Sequence, residues 1–207
     1  MKSKIYIIIT AYRSAQFIGE CLDSFDNSVN ILLGIDGCKE TLSKVKKIKK
    51  RYPNLRAFYF PVNKGTYITK NSLIRMIPKD GIYITFDSDD IIRRGTIEAL
   101  VKNTPSKLNK GGVYCIPKEL HDKLGGFRPW RIAADTDFIG RLSLLTKVQK
   151  LHIPFYRRQH PGQLTKGKTT AINSRLRQEL RRAIFKNIRS DNPVIYIEPE
   201  YNDGYEI

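Results

Sequence analysis

Four apolar segments alternate with amphipathic helical segments over the first hundred residues, and that alternation constrains the chain more than any other feature. The first segment, Ile5-Tyr6-Ile7-Ile8-Ile9, is almost continuously β-branched. A strand of this kind is buried on both faces, which requires a parallel sheet with helices above and below. Phe17, Ile18, Cys21, Leu22 and Phe25 then recur at helical spacing. Val29–Ile35 is a second strand, stopped by Asp36-Gly37, and a Lys-rich helix over 40–51 follows with Leu42, Val45 and Ile48 as its apolar stripe. Leu55–Phe60 is a third strand, Thr66–Ile77 a helix, Ile82–Phe86 a fourth strand and Gly95–Lys102 a short helix. The βαβαβαβ order predicts an α/β fold with helices on both faces of the sheet.

The pattern loosens after residue 103. Lys107–Gly112 reads as a turn, Val113–Ile116 as a strand and Lys118–Leu124 as a helix ended by Gly125-Gly126. Ala134–Leu145 is a helix, and Val148–Ile153 and Phe155–Arg158 are strand-like. Residues 166–171 form a polar loop. Ile172, Leu176, Leu180, Ala183, Ile184 and Ile188 mark one face of a last helix over 172–188.

Asp87-Ser88-Asp89-Asp90 ends the fourth strand. In open α/β sheets ligands bind outside the carboxyl ends of the strands. Crowded carboxylates repel unless a cation lies between them, and a hard divalent ion is the expected one because it takes oxygen ligands and leaves positions for substrate phosphates. A helix N-cap before Ile91 is the competing structural role, but a cap needs one Asp rather than three. Asp135-Thr136-Asp137 opens the helix 134–145, where an N-cap is its structural role. His121 and His152 read as structural.

These residues fall in the motif order of the family 2 glycosyltransferases of the GT-A fold, which the chain resembles over about residues 4–165. Ile7–Arg13 resembles that family's opening strand and nucleotide-binding turn, and Phe17–Ser24 the helix that follows. Gly34-Ile35-Asp36-Gly37 is similar to its Asp-Asp-Gly stretch, with Ile35 in place of the first Asp. Asn63-Lys64-Gly65 with Lys70-Asn71 resembles its Asn-x-Gly…Arg-Asn motif, with Lys70 for Arg. Phe86–Asp90 resembles its Asp-x-Asp motif. Gly125-Gly126-Phe127 followed by Ala134-Asp135 resembles its Gly-Gly-Phe…Glu-Asp motif, with Ala134 for Glu, and Tyr156–His160 its late Tyr-Arg-x-His. The resemblance implies a Rossmann-like, mixed, mostly parallel sheet. It implies an inverting, metal-dependent transferase using a nucleotide-diphospho-sugar such as a UDP-sugar. It assigns donor contacts to Ala11, Tyr12, Arg13, Asp36, Lys64, Gly65, Lys70, Asn71, Asp87 and Ser88. It assigns Mn²⁺ or Mg²⁺ to Asp87, Asp89 and His160, with a diphosphate contact as the alternative for His160, and the base to Asp135, with Asp137 as the substitute. On the same reading Tyr12 stacks on the donor base or closes the core, and Trp130 stacks on an acceptor ring or packs. The expected division is a catalytic domain at 1–165, with a donor-binding half at 1–103 and an acceptor half at 104–165, followed by a basic helix and tail at 166–207.

Thirty-seven Lys and Arg against 20 Asp and Glu give a formal charge of +17. Such an excess points to an anionic partner. On the last helix Arg175, Arg182, Lys186 and Arg189 lie opposite the apolar arc, flanked by Arg177 and Arg181, and that face is the expected contact. Three acceptor readings follow: a hydroxylated base in DNA, of the kind bacteriophages carry; a lipid-linked or cell-envelope glycan; or, on an inactive scaffold, nucleic acid merely bound. The charge and the lack of an 18-residue apolar run favour DNA over a membrane surface. Three isolated cysteines and no signal-type cleavage site predict a cytoplasmic protein, in the host cytoplasm if phage-encoded.

Overall fold

Every residue of Ile7-Ile8-Ile9 is fully buried, as a strand covered on both faces demands. In the computed structural model, which describes residues 5–101, 106–109, 112–151 and 154–207, the strand β1 (Ile5–Ala11) lies at the centre of a sheet. It pairs in parallel with β2 (Asn30–Asp36) on one side and β4 (Ile82–Asp87) on the other. β3 (Leu55–Phe60) extends the parallel set beyond β2. β7 (Val113–Pro117) joins β4 antiparallel and carries β6 (Lys107–Asn109), whose far edge takes β8 (Gln149–Leu151). Strands from both expected halves of the catalytic domain thus share one mostly parallel, mixed sheet.

Alternate residues of β1 feed two cores. Ile7 and Ile9 pack with Leu33, Ile35, Cys21, Leu22 and Val45, under α1 (Ile18–Asp23) and α2 (Lys39–Ile48). Ile8 packs with Leu32, Phe58, Leu73, Phe127 and Phe138, under α3 (Thr66–Arg75) and α6 (Ala134–Leu145). At roughly 25 cal/mol per Å² of apolar surface, these two layers supply most of the driving force for folding. α4 (Thr96–Val101) and α5 (Lys118–Leu124) complete the helices before the last one, α7 (Arg175–Ile188).

Several boundaries differ from the sequence expectation. The α-helix expected over 40–51 ends at Ile48, and Lys49–Arg51 tighten into a 3-10 turn. Lys107–Asn109, expected as turn, is a strand because β7 and β8 both offer it partners. Residues 152 and 153, and with them His152, lie outside the described residues. Asp90 caps no helix: Ile91–Ile92 form strand β5, paired with β9 (Phe155–Tyr156). The last helix starts at Arg175 rather than 172, because Ser174 is its N-cap and accepts from the Arg177 amide. The tail returns to the sheet, where β10 (Tyr205–Glu206) adds antiparallel to β3 and Arg56 holds Glu206 through two hydrogen bonds.

Buried charge organises the second core. Arg141 is fully buried, and its guanidinium donates to Asp137, to the carbonyls of Leu124 and Gly126, and to that of Ile195 in the tail. Arg128 takes the other oxygen of Asp137 at 2.9 Å. Removing one member of such a set leaves an uncompensated charge, at a cost of about 3–5 kcal/mol.

Candidate active site

The carboxyl ends of β1, β2 and β4 stop together, with Thr10 opposite both Gly34 and Asp87. A cleft of about 1060 Å³ opens there. Its volume reaches the upper end of the usual range for small-molecule sites, roughly 300–1,000 Å³. Ala11, Tyr12, Arg13, Asp36, Gly65, Lys70, Asp87, Ser88, Asp89, Asp135 and His160 all line it. The β1 turn is strained at Arg13, whose φ of 53° is left-handed. That turn leaves Tyr12 47% exposed at the cleft, with the Arg13 guanidinium over its ring. Tyr12 therefore does not close the core.

Asp36 is buried, and both its oxygens accept backbone amides, from Lys64 at 3.1 Å and Gly65 at 2.9 Å. Burial pushes its carboxyl above the usual range, while those amides pull the other way. Asp36 thereby shapes the turn that forms one wall. Two expected donor contacts point elsewhere. The Lys64 ammonium donates to the Tyr201 carbonyl in the tail. Asn71 is fully buried and bonds both the N–H and the C=O of Phe127, joining α3 to the Gly125-Gly126 turn.

The acidic run divides its labour. Asp87 Oδ1 lies 3.7 Å from the buried Lys70 ammonium. Asp89 Oδ2 meets His160 Nε2 at 3.0 Å and Gln163 Nε2 at 3.4 Å. Asp90 accepts the Arg158 amide at 3.0 Å; burial first, then the charges of Asp87 and Asp89, push its carboxyl up to about 7. Ser88 shares a 2.7 Å bond with Ser14. Phe17 packs on the His160 ring, at 4.7 Å between centroids.

Two carboxylates and an imidazole facing a cleft are donors that suit Mg²⁺ or Mn²⁺. The expected trio of Asp87, Asp89 and His160 is nevertheless not gathered. Among the described residues no three His, Cys, Asp or Glu side chains form a metal-ready group, since Asp87 turns to Lys70 and Asp89 to His160. Asp89 and His160, 3.0 Å apart, are the pair that would hold such an ion.

Asp135 also lines the cleft, from the first turn of α6, after the left-handed Ala133. Its Oδ2 accepts the Tyr114 hydroxyl at 3.0 Å and its Oδ1 the Thr136 amide at 2.8 Å. Burial, then the Asp135 charge, pushes the phenols of Tyr67 and Tyr114 well above their ordinary values. Asp137 is buried under two arginines and is no substitute base. Trp130 lies beneath Arg128 and packs against the second core rather than lining the cleft. His121 is buried against Phe127 and Phe138, as a structural histidine is.

The sequence assigned no role to Thr10 and Arg157, which lie in quoted motifs, or to Gln16, Arg131 and Gln163, and all five also line the cleft. Nor did it separate the arginines of α7. Arg175, expected on an outer basic face, pairs with Glu179 at 2.8 Å, whereas Arg177 and Arg181, expected only to flank that face, line the cleft.

The acidic end of β4 and Asp135 of the later helix α6 thus line one cleft at the carboxyl edge of a Rossmann-like sheet. Glycosyl transferase family 2 matches residues 6–189, and the chain belongs to that family. No curated protein matches the sequence. Among solved structures, residues 1–349 of S. aureus TarS in complex with UDP-GlcNAc align at TM-score 0.71 and 18% identity, over 91% of this chain and 67% of that one. The same TarS fragment in complex with UDP aligns at TM-score 0.65 and 18% identity, over 89% and 71%. Against the longer TarS chain the TM-score is 0.63 at 18% identity, over 88% of this chain but only 42% of TarS. The likeness is one of fold.

Proposed function

We propose that the protein transfers a sugar, with inversion, from a UDP-sugar to an acceptor hydroxyl. The observation that carries this is the gathering of Lys70, Asp87, Asp89 and Asp135 in one cleft. TarS, of the same fold, was seen with UDP and with UDP-GlcNAc, which supports a uridine nucleotide as the donor. Tyr12 stacks on the nucleobase. Lys70 offsets charge that develops on the leaving diphosphate. Asp89 and His160, with Asp87 beside them, would hold a divalent ion, which would supply Lewis-acid charge to that diphosphate. Asp135 takes the proton of the attacking hydroxyl, its Tyr114 and Thr136 bonds holding the carboxylate in place. The hydroxyl oxygen bonds to the anomeric carbon, the carbon–diphosphate bond breaks, and the nucleoside diphosphate departs.

The +17 charge supports an anionic acceptor, with a hydroxylated base in DNA ahead of a lipid-linked or envelope glycan. Asp87, Asp89 and Asp135 all facing the cleft speaks against an inactive nucleic-acid-binding scaffold. Cys21, Cys38 and Cys115 are buried and joined in no disulfide, which suits a reducing, cytoplasmic setting.

Calorimetric titration with UDP, with and without Mn²⁺, tests the donor site, and nucleotide release from a panel of UDP-sugars tests turnover. Binding that strengthens with Mn²⁺ in the wild type and is lost in Asp89→Ala is the expected result. Absence of UDP binding, or an Asp89→Ala variant that binds as the wild type does, overturns it.

A further inference from the structure

Arg177 and Arg181 lie four residues apart, so they emerge from α7 one above the other, with Cβ atoms about 6 Å apart. Both line the cleft. One terminal nitrogen of Arg177 donates to the Thr170 carbonyl at 2.9 Å, but its Nε is buried without an acceptor among the described residues. A buried guanidinium N–H without a partner is costly, and a ligand oxygen relieves that cost. The Arg181 side chain makes no hydrogen bond or ion pair with any described residue.

The packing of α7 assigns the pair to a wall. Ile184 and Ile188 press on Gly140 in the middle of α6, where an added Cβ would meet Ile188 at 2.2 Å. α7 is thereby fixed against the helix that carries Asp135. The acidic strand end already has Lys70 and His160 as its partners.

We infer that Arg177 and Arg181 form a phosphate subsite for the acceptor, and that the acceptor is a single, flexible phosphodiester strand drawn into the cleft rather than an intact duplex lying on the surface. This rests on the transferase reading above. A duplex carries its phosphates on the outside of a stiff rod, whereas these guanidiniums face the inside of a cleft. A lipid surface fits less well. The exposed apolar residues Leu176 and Phe185 are nine positions apart, which puts them on opposite sides of the helix. They present no shared face to a membrane.

The test uses a labelled single-stranded DNA 12-mer as a phosphodiester probe and UDP as the donor probe, each titrated separately. Arg177→Gln/Arg181→Gln is expected to weaken 12-mer binding about tenfold and to lower the log–log salt slope by about 1.4, or about 0.7 per lost contact. Its UDP affinity should stay within about twofold, and Arg177→Lys/Arg181→Lys should recover most of the 12-mer affinity. Arg182→Gln/Lys186→Gln, which removes the same charge elsewhere on α7, should weaken the 12-mer far less. An equal loss in that variant reduces the effect to net charge and overturns the subsite. So does a parallel loss of UDP affinity, which would move the arginines to the donor, or a wild type that ignores the 12-mer. A duplex of the same sequence that binds as tightly through the same pair overturns the single-strand assignment. A wild type that binds the 12-mer through the pair but never binds UDP supports the subsite while sinking the transferase reading, so the two failures are distinct.

Discussion

Asp135 is fixed by the Tyr114 hydroxyl and by the amide and hydroxyl of Thr136, with lone pairs left for a substrate hydroxyl, an arrangement in which charge rather than shape matters. An Asn in its place still accepts the Thr136 amide through its oxygen, and the Tyr114 hydroxyl can turn to accept from the amide nitrogen. Asp135→Asn is therefore expected to leave thermal stability and UDP affinity nearly unchanged while slowing transfer about 10²–10⁴-fold, the usual worth of a general base. Near-normal turnover, measured as UDP release in the presence of acceptor, would return Asp135 to a helix-capping role. The sequence carried this residue on two local signals, the helix start and the Gly125-Gly126-Phe127 turn before it. Asn71 was not legible in the same way: its partner Phe127 lies 56 positions away, and nothing local shows that its amide would be used inside the fold.

Among the elements, the parallel strands were the most legible, because a β-branched run ended by acids or glycine states both its burial and its stop. Short edge strands were not, since β10 is two residues long and exists through a pairing with distant β3. The orientation of α7 was half legible. Its periodicity gave the angle between residues, but contact of Ile184 and Ile188 with Gly140 decides which arc faces the cleft. How firmly the tail is docked can be tested at Gly125. It ends α5 in the left-handed region at φ 70°, and an added Cβ would lie 1.6 Å from the Ile197 carbonyl oxygen. Gly95 has a similar φ of 78° with open space around it. Gly95→Ala carries only the backbone strain, about 1–2 kcal/mol. Gly125→Ala adds a steric clash and is expected to cost a further ~1–3 kcal/mol in urea unfolding. Equal losses in the two variants would mean that the tail is not held at Ile197.

For the whole molecule, acidification works against the fold from two directions. Protonating carboxylates raises a net charge that is already +17, which increases self-repulsion. The second direction is a buried base. His121 is 5% exposed, with the Tyr83 hydroxyl 3.0 Å from its Nδ1. Burial first, then the charges of Lys118 and Arg141, push it down to about 3. Its folded value is thus below the unfolded value of about 6.5. Between those values the unfolded chain binds a proton that the folded chain refuses. Stability contributed by the neutral imidazole is complete above pH 6.5 and drains away as pH falls toward 3. The limiting slope is about 1.4 kcal/mol per pH unit. His121→Asn keeps an acceptor near the Tyr83 hydroxyl and removes the titration. It should lower stability at pH 7 by about 1–3 kcal/mol through the volume lost, yet show a shallower decline between pH 6.5 and 4.5. Urea midpoints at half-unit pH steps give both slopes, and parallel lines for wild type and variant would assign the acid sensitivity to charge repulsion alone.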